Sequence, residues 1–351
     1  MWIVHLVFSF TGTEADSLLL DMMSEQIKSN KVLFIVVNSD VDPAVLSKVP
    51  KEVKVLTLNR RQGSRGLQAM LSVLYLNLVL SWRKTFVLHC HNLKIIKLLL
   101  FKRLRKKAVL TFRSVGLTRE LITAYHSCYA VSKSLAAEIA DDLGKVKWVY
   151  NGVNAKRIPS KIGRHLPSME FKIVQLGSLD HQIKAQDLLL EVIKELKDEG
   201  MGQFKVDFWG DGPSREYLED LTISLGIEEH VRFCGVPDME EICQQLNKYD
   251  LLIHPSSWDE FGLPIVEGMF AEVPVLVTDN ESAMEIIGHG DYGYYFKGRN
   301  MADLKTKLLW IAQNYHTSAF KYKILQAAAY ARNCFDVRRT VQYYQDRYKM
   351  I

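Results

Sequence analysis

Two carboxylates and a glycine stand close together in the stretch YDLLIHPSSWDEFGLPIVEGMFAEVP, which begins at Tyr249. Asp259 precedes Gly262 and Glu267 follows it, with seven residues between the two acids. An ionised carboxylate only accepts hydrogen bonds, and its two oxygens suit two vicinal hydroxyls. Residues 250–254 form an apolar run closed by Pro255, the pattern of a buried parallel strand. Residues 256–260 are polar and read as a loop, and 265–271 have the spacing of a buried helix. Pro264 suits the first helical position, where its missing N–H costs nothing. Strand, acidic loop, glycine turn and helix thus put unpaired backbone N–H groups and the positive end of a helix beside Gly262. That is a seat for phosphate. The plainer alternative is a strand–helix unit whose acids face water.

This stretch resembles the signature of retaining glycosyltransferases of family 4. Their fold is GT-B, in which two Rossmann-like, doubly wound parallel-sheet α/β domains face a cleft. The family pattern sets two glutamates around Phe-Gly-Leu-Pro. Here Asp259 takes the first place and Glu267 the second, around Phe261, Gly262, Leu263 and Pro264. The resemblance implies Glu267 on the nucleotide ribose, Asp259 on the donor sugar and the glycine turn on the diphosphate. The family's Gly-Arg and downstream Lys, both on donor phosphates, correspond to Gly177-Ser178 and Lys184. One cation is therefore missing, and Ala185 stands where Gly is usual. Gly210 opens GDGP, a further match, and YNGVN from Tyr150 resembles the close of the family's acceptor domain. A family His near the reaction centre is replaced by Arg113, which stays charged and cannot shuttle a proton. Arg113 is expected on an acceptor phosphate or on the donor diphosphate.

The strands that present these residues are expected in two sets. In the first half, strands at 2–10, 32–38, 53–58, 85–89, 108–112 and 128–132 alternate with helices, which implies a parallel sheet wound on both faces. Ligands of such sheets sit at the carboxyl ends of strands. Gly12 is expected there to let the chain approach the donor phosphates or the acceptor, and His91 to hold a sugar hydroxyl. Domain boundaries are expected at 1–155, a linker at 156–169 and 170–335, and the resemblance implies that the final helix, 336–351, crosses back to the first domain. Ser214 is expected to cap a helix running to Leu225. Asp40-Val41-Asp42 spells a D-x-D of the kind that binds metal in another glycosyltransferase fold, but its shortness makes chance the better account, so no metal is expected. No G-x-G-x-x-G follows the first strand, which argues against a dinucleotide oxidoreductase.

The chain has 351 residues, 48% of them hydrophobic, enough for two domains with real cores. Five scattered cysteines without a C-x-x-C pair argue for a reducing compartment and against disulfide or zinc frameworks. The apolar start is too short and lacks the basic flank of a signal peptide. Net charge is +5, yet residues 1–155 carry 22 Lys+Arg against 11 Asp+Glu, so the second part is acidic. A basic first half suggests an anionic surface. Residues 66–82 read as a buried crossover helix, or else as a helix dipping into a membrane surface. From Lys94 to Lys107, KIIKLLLFKRLRKK reads as an amphipathic basic helix suited to anionic lipid, or as a solvated basic face. Nucleic acid is not expected, because the patch lacks stacking aromatics.

The expected protein is a cytoplasmic enzyme, in part peripheral to the membrane. It moves a sugar from a nucleotide-sugar to a saccharide or lipid-linked acceptor with retention, and needs no cofactor. A non-catalytic sugar-nucleotide-binding subunit and a sugar-nucleotide epimerase of the same fold are the alternatives.

Overall fold

Strands covered on both faces need apolar residues at every position rather than at alternate ones. Residues 32–37 have that pattern, residues 3–7 have it except at His5, and both runs are buried at every position. A computed structural model of the chain describes residues 1–351 apart from 62, 64, 65, 84, 115, 140–142, 162–169, 237 and 238. It divides the chain into two units, Met1–Val153 with Phe335–Ile351, and Asn154–Cys334.

The first unit holds β1 (Trp2–Val7), β2 (Lys31–Asn38), β3 (Lys54–Arg60), β4 (Phe86–Cys90), β5 (Ala108–Phe112), β6 (Ser127–Ala130) and β7 (Val146–Trp148). They form one parallel sheet in the order β3-β2-β1-β4-β5-β6-β7. The order reverses between β1 and β4, which leaves a crevice at their carboxyl ends. The last helix, Val337–Tyr348, belongs to this unit. Val337, Val341, Tyr344 and Tyr348 recur at helical spacing and pack against Ile3, Val87, Val109 and Tyr129. Asp336 caps the helix, accepting from the Arg338 N–H at 2.8 Å.

The second unit holds β8 (Phe171–Leu176), β9 (Phe204–Trp209), β10 (Val231–Gly235), β11 (Leu251–His254), β12 (Val275–Thr278) and β13 (Tyr294–Phe296). Their order is β10-β9-β8-β11-β12-β13, again all parallel. Here the reversal lies between β8 and β11. The amphipathic helix Gln186–Asp198 buries Leu189, Val192, Ile193 and Leu196 on this sheet.

Several elements differ from the sequence reading. The segment 94–107 is not one helix. A 3-10 turn, Ile95–Leu98, and a short helix, Lys102–Arg105, are separated by the extended Leu99. Ile95, Ile96, Leu99 and Leu104 are drawn into the core, and that need breaks the helix. The helix Leu67–Ser81 buries only Ala69, Leu76, Asn77 and Leu80, so it is not a buried crossover. A further short helix spans Lys133–Ala137. The start of the expected linker is anchored instead. Lys161 is buried and ion-paired to Asp250 at 2.9 Å, with the Tyr315 hydroxyl at 2.7 Å. The remainder, 162–169, lies outside the described residues. Asp42 caps the short helix Pro43–Ser47, its carboxylate accepting from the Ala44 N–H at 2.8 Å, which gives that D-x-D acid structural work.

Candidate functional site

The second unit assembles its candidate residues at the β8/β11 switch point. Gly177 and Ser178 follow β8, and a short helical turn, His181–Lys184, ends on Lys184. The loop after β11 is tied to that turn, since the Ser257 N–H donates to the Ile183 carbonyl at 2.8 Å. Gln175, on β8, reaches across to the Lys184 carbonyl at 2.8 Å. These ties bring Lys184 Nζ onto Asp259 Oδ1 in a short ion pair, with both side chains largely buried. The other Asp259 oxygen accepts from His254 Nε2 at 2.6 Å. Burial raises the Asp259 carboxyl, but His254 and Lys184 outweigh it and hold it well below the usual carboxylate range. The site thus carries a fixed negative charge matched by a lysine that a stronger anion can draw away.

Gly262 closes the loop in the left-handed region, at φ 94° and ψ 54°. A Cβ there would sit 3.0 Å from Ile265 Cδ1 and 3.3 Å from Ile286 Cδ1, so only glycine makes the turn without strain. The helix Leu263–Phe270 begins directly after it, with Pro264 in its first turn. Phe261 and Leu263 are buried, and the Phe261 carbonyl is held by Ser282 Oγ at 2.9 Å. Leu263 and Glu267 lie four apart, on one face of this helix. Glu267 is 5% exposed, so it does not simply face water. Gly210, after β9, packs on the β8 end so tightly that a Cβ would lie 1.9 Å from the Gly177 carbonyl oxygen. Ser214 does not cap the following helix. Its hydroxyl bonds the His181 backbone N–H at 3.2 Å and the His181 ring at 2.8 Å, which steadies the turn carrying Lys184.

The first unit has its own cluster at the β1/β4 switch point. His5 Nε2 bonds the Gln26 amide oxygen at 2.7 Å, and His5 Nδ1 bonds His91 Nε2 at 2.9 Å. His89 bonds Thr111 Oγ1 at 2.6 Å and the Tyr348 hydroxyl at 2.5 Å. Burial lowers all three imidazoles, His5 to about 4. For His91, the neighbours His89, His5 and Arg113 add to that effect. With neutral rings and the Gln26 oxygen accepting, the His5 proton sits on Nε2. His91 must then give its own Nε2 proton to His5. His91 Nδ1 is left as a buried acceptor without a partner in this structure. The three rings are spaced as metal ligands can be. However, both nitrogens of His5 and of His89 are already spent on hydrogen bonds, so the donor set does not suit a metal. Gly12 contributes space rather than a donor, because its N–H, with those of Thr11 and Thr13, goes to Asp16 Oδ2 at 3.0–3.1 Å. A cavity of about 240 Å³ lies beside the ends of β1, β2 and β3, lined by Phe8, Ser9, Asn38, Asp40, Arg60 and Gly63.

Residues 159–329, nearly all of the second unit, match the model of the family "Glycosyl transferases group 1". The second unit belongs to that family. An uncharacterized glycosyltransferase of Methanocaldococcus jannaschii is 29% identical over 197 residues, 52% of this chain and 50% of that protein. The D-inositol 3-phosphate glycosyltransferase of Streptomyces avermitilis is 28% identical over 207 residues, 55% of this chain and 44% of that one. The chain thus spans about half the length of such curated relatives. Among solved structures, Anabaena HepE in complex with UDP and glucose covers 100% of both chains at a TM-score of 0.78 and 18% identity. The lipopolysaccharide outer core galactosyltransferase WaaB, in its apo form, also covers 100% of both chains, at 0.73 and 18%. Two parallel-sheet α/β units in this connectivity are the GT-B glycosyltransferase fold.

Within this glycosyl transferases group 1 unit, sequence reasoning missed His254. It read His254 only as the end of a strand, although a histidine five residues before the acid is at hand for its second oxygen. It also missed Asn280, which holds the acidic loop through the Ser256 carbonyl at 2.8 Å. No local signal marks that contact, because the partners are 24 residues apart.

Proposed function

We propose that the protein transfers a sugar from a nucleotide-sugar to an acceptor hydroxyl with retention of configuration and without a metal ion. One observation carries this reading. Lys184, the acid it pairs with and the Gly262 helix start converge at the switch point of a glycosyl transferases group 1 unit. In the reaction, Lys184 leaves Asp259 for the diphosphate, where charge grows as the glycosidic bond breaks. The N–H groups behind Gly262 support the same oxygens. Asp259 keeps the His254 hydrogen bond and turns its freed oxygen to a donor-sugar hydroxyl. Glu267 takes the ribose hydroxyls. No residue here is assigned as a nucleophile. The acceptor attacks from the face the diphosphate leaves, and its proton passes to the departing phosphate. His91 Nδ1 accepts from a sugar hydroxyl, and Arg113 meets an acceptor phosphate or the diphosphate.

The acceptor class that suits the basic first unit is a saccharide or lipid-linked intermediate of surface-polysaccharide assembly on the cytoplasmic side of a membrane. HepE was solved with UDP and glucose, so UDP-glucose is the first donor to try. Incubation with donor and a panel of lipid-linked and free saccharides, followed by NMR of the anomeric proton, tests the reading. A product with the donor's anomeric configuration supports it. Free epimer formed without acceptor, or no turnover with any donor that binds, contradicts it.

A further inference from the structure

The helix Leu67–Ser81 turns a continuous apolar face to solvent. Leu67, Met70, Leu71, Leu74 and Leu78 recur at three- and four-residue steps, and Trp82 follows at its end. All six are exposed, Leu67 by 67% and Trp82 by 88%. Scattered surface leucines mean little, but an unbroken stripe along a whole helix marks an interaction surface. The helix does not span a bilayer. Its 15 residues reach about 22 Å against a hydrocarbon core of about 30 Å, and no helix among the described residues is long and apolar enough to cross.

A second, independent observation says what covers the stripe. From Val53 to Arg119 the sequence has no Asp or Glu and fifteen Lys and Arg. The basic segment after β4 is fastened to this helix through the buried Asn77. Asn77 Nδ2 donates to the Leu98 carbonyl and Asn77 Oδ1 accepts from the Leu100 N–H, both at 2.8 Å. Arg105 Nε closes the same loop on the Leu99 carbonyl at 2.6 Å. The clamp fastens to this helix a segment that exposes Leu100 and Phe101 together with Lys97, Lys102, Arg103 and Lys106. A second copy would bring this uninterrupted positive charge against itself. An apolar face rimmed by cations fits an anionic lipid surface.

We propose that the Leu67–Ser81 helix lies in the headgroup region of an anionic bilayer, apolar face inward, with the cations of 97–106 on lipid phosphates. The sequence offered 94–107 as the basic amphipathic element and a membrane-dipping helix at 66–82 only as the alternative to a buried crossover. The structure reverses their weight, because the 94–107 segment is broken and its apolar residues are largely packed. Its isoleucines and leucines are mostly buried, so the apolar contact comes from the preceding helix. This inference does not depend on the donor site.

The test is co-sedimentation of the full chain with phosphatidylcholine vesicles with and without phosphatidylglycerol. The protein binds the anionic vesicles, and Trp82 emission shifts to the blue on binding, a shift absent in Trp82→Phe. Leu71→Asp with Leu74→Asp lowers partitioning at least tenfold while the melting temperature stays put, because both side chains are already exposed. Lys102→Glu with Arg103→Glu weakens binding and flattens its salt dependence. Three results overturn the proposal: no binding to anionic vesicles, binding that the double Asp variant leaves intact, or equal binding to phosphatidylcholine alone. A lipid-free dimer that Leu71→Asp dissociates would assign the stripe to a second copy and overturn it too.

Discussion

Lys184 is held by Asp259 in this structure, and the account asks it to leave for a diphosphate. Lys184→Ala should therefore lower kcat/KM for nucleotide-sugar by about 10²–10³. It should also cost about 1–3 kcal/mol of stability, as Asp259 loses one of two partners. Steady-state kinetics beside urea unfolding separates the two losses. A variant with unchanged kcat/KM would remove Lys184 from the diphosphate. The histidine cluster makes a pH prediction of its own. Native His5 refuses a proton until about pH 4, whereas an unfolded histidine takes one near 6.5. The unfolded state thus binds more protons between those values, and stability falls as pH drops through that window. For His5 alone the full loss, complete only below about pH 4, is roughly 3 kcal/mol, and roughly 2 kcal/mol of it falls between pH 7 and pH 5. Urea midpoints at pH 7 and pH 5 should show it, with His5→Gln less stable at pH 7 but less sensitive to pH. An equal slope in that variant would contradict the tautomer chain.

At the scale of elements, the candidate residues were legible because the turns that carry them have few chemical solutions. Gly262 and Pro264 announce a left-handed residue followed by a helix start, and the structure has both. The departure at Ala185 was also legible, and here it has a physical cost. The residue takes φ 50° and ψ 40°, a conformation that glycine holds more cheaply. What could not be read is what long-range contacts decide. Ser214 looked like a cap by type and position, yet His181, 33 residues away, claims its hydroxyl. The segment 94–107 looked like one helix by periodicity, but burying Leu99 and Leu104 on the sheet requires a break. Gly210→Ala tests how far the β8 and β9 turns act as one piece. The added Cβ meets backbone at 1.9 Å, which a side-chain shift cannot relieve. A loss of at least about 3 kcal/mol is expected in chemical denaturation, with nucleotide binding lost in parallel. A loss below about 1 kcal/mol would mean that the turn relaxes freely.

At the scale of the molecule, two parallel sheets of seven and six strands each gather candidate residues at the point where strand order reverses. The sequence showed the strand–helix alternation and the charge difference between the halves. The return of the final helix was implied only by the family resemblance; in the structure its tyrosines, at helical spacing, fill the core of the first unit. The sequence put the end of the first stretch at 155, and the structure puts it at Val153. The residues just after Val153 pack with the second unit because Lys161 needs Asp250 and Tyr315 as partners, and these lie far along the chain.

Thermal shift of the full chain with a panel of nucleoside diphosphates and nucleotide-sugars tests the central claim most directly. A ligand at one hundred times its Kd adds about 2.7 kcal/mol to the native state, a rise of several degrees. The account predicts such a rise with at least one nucleoside diphosphate sugar, its near loss in Lys184→Ala, and its loss in Glu267→Ala. An equal rise in the wild type and in both variants would place the nucleotide elsewhere and contradict the account.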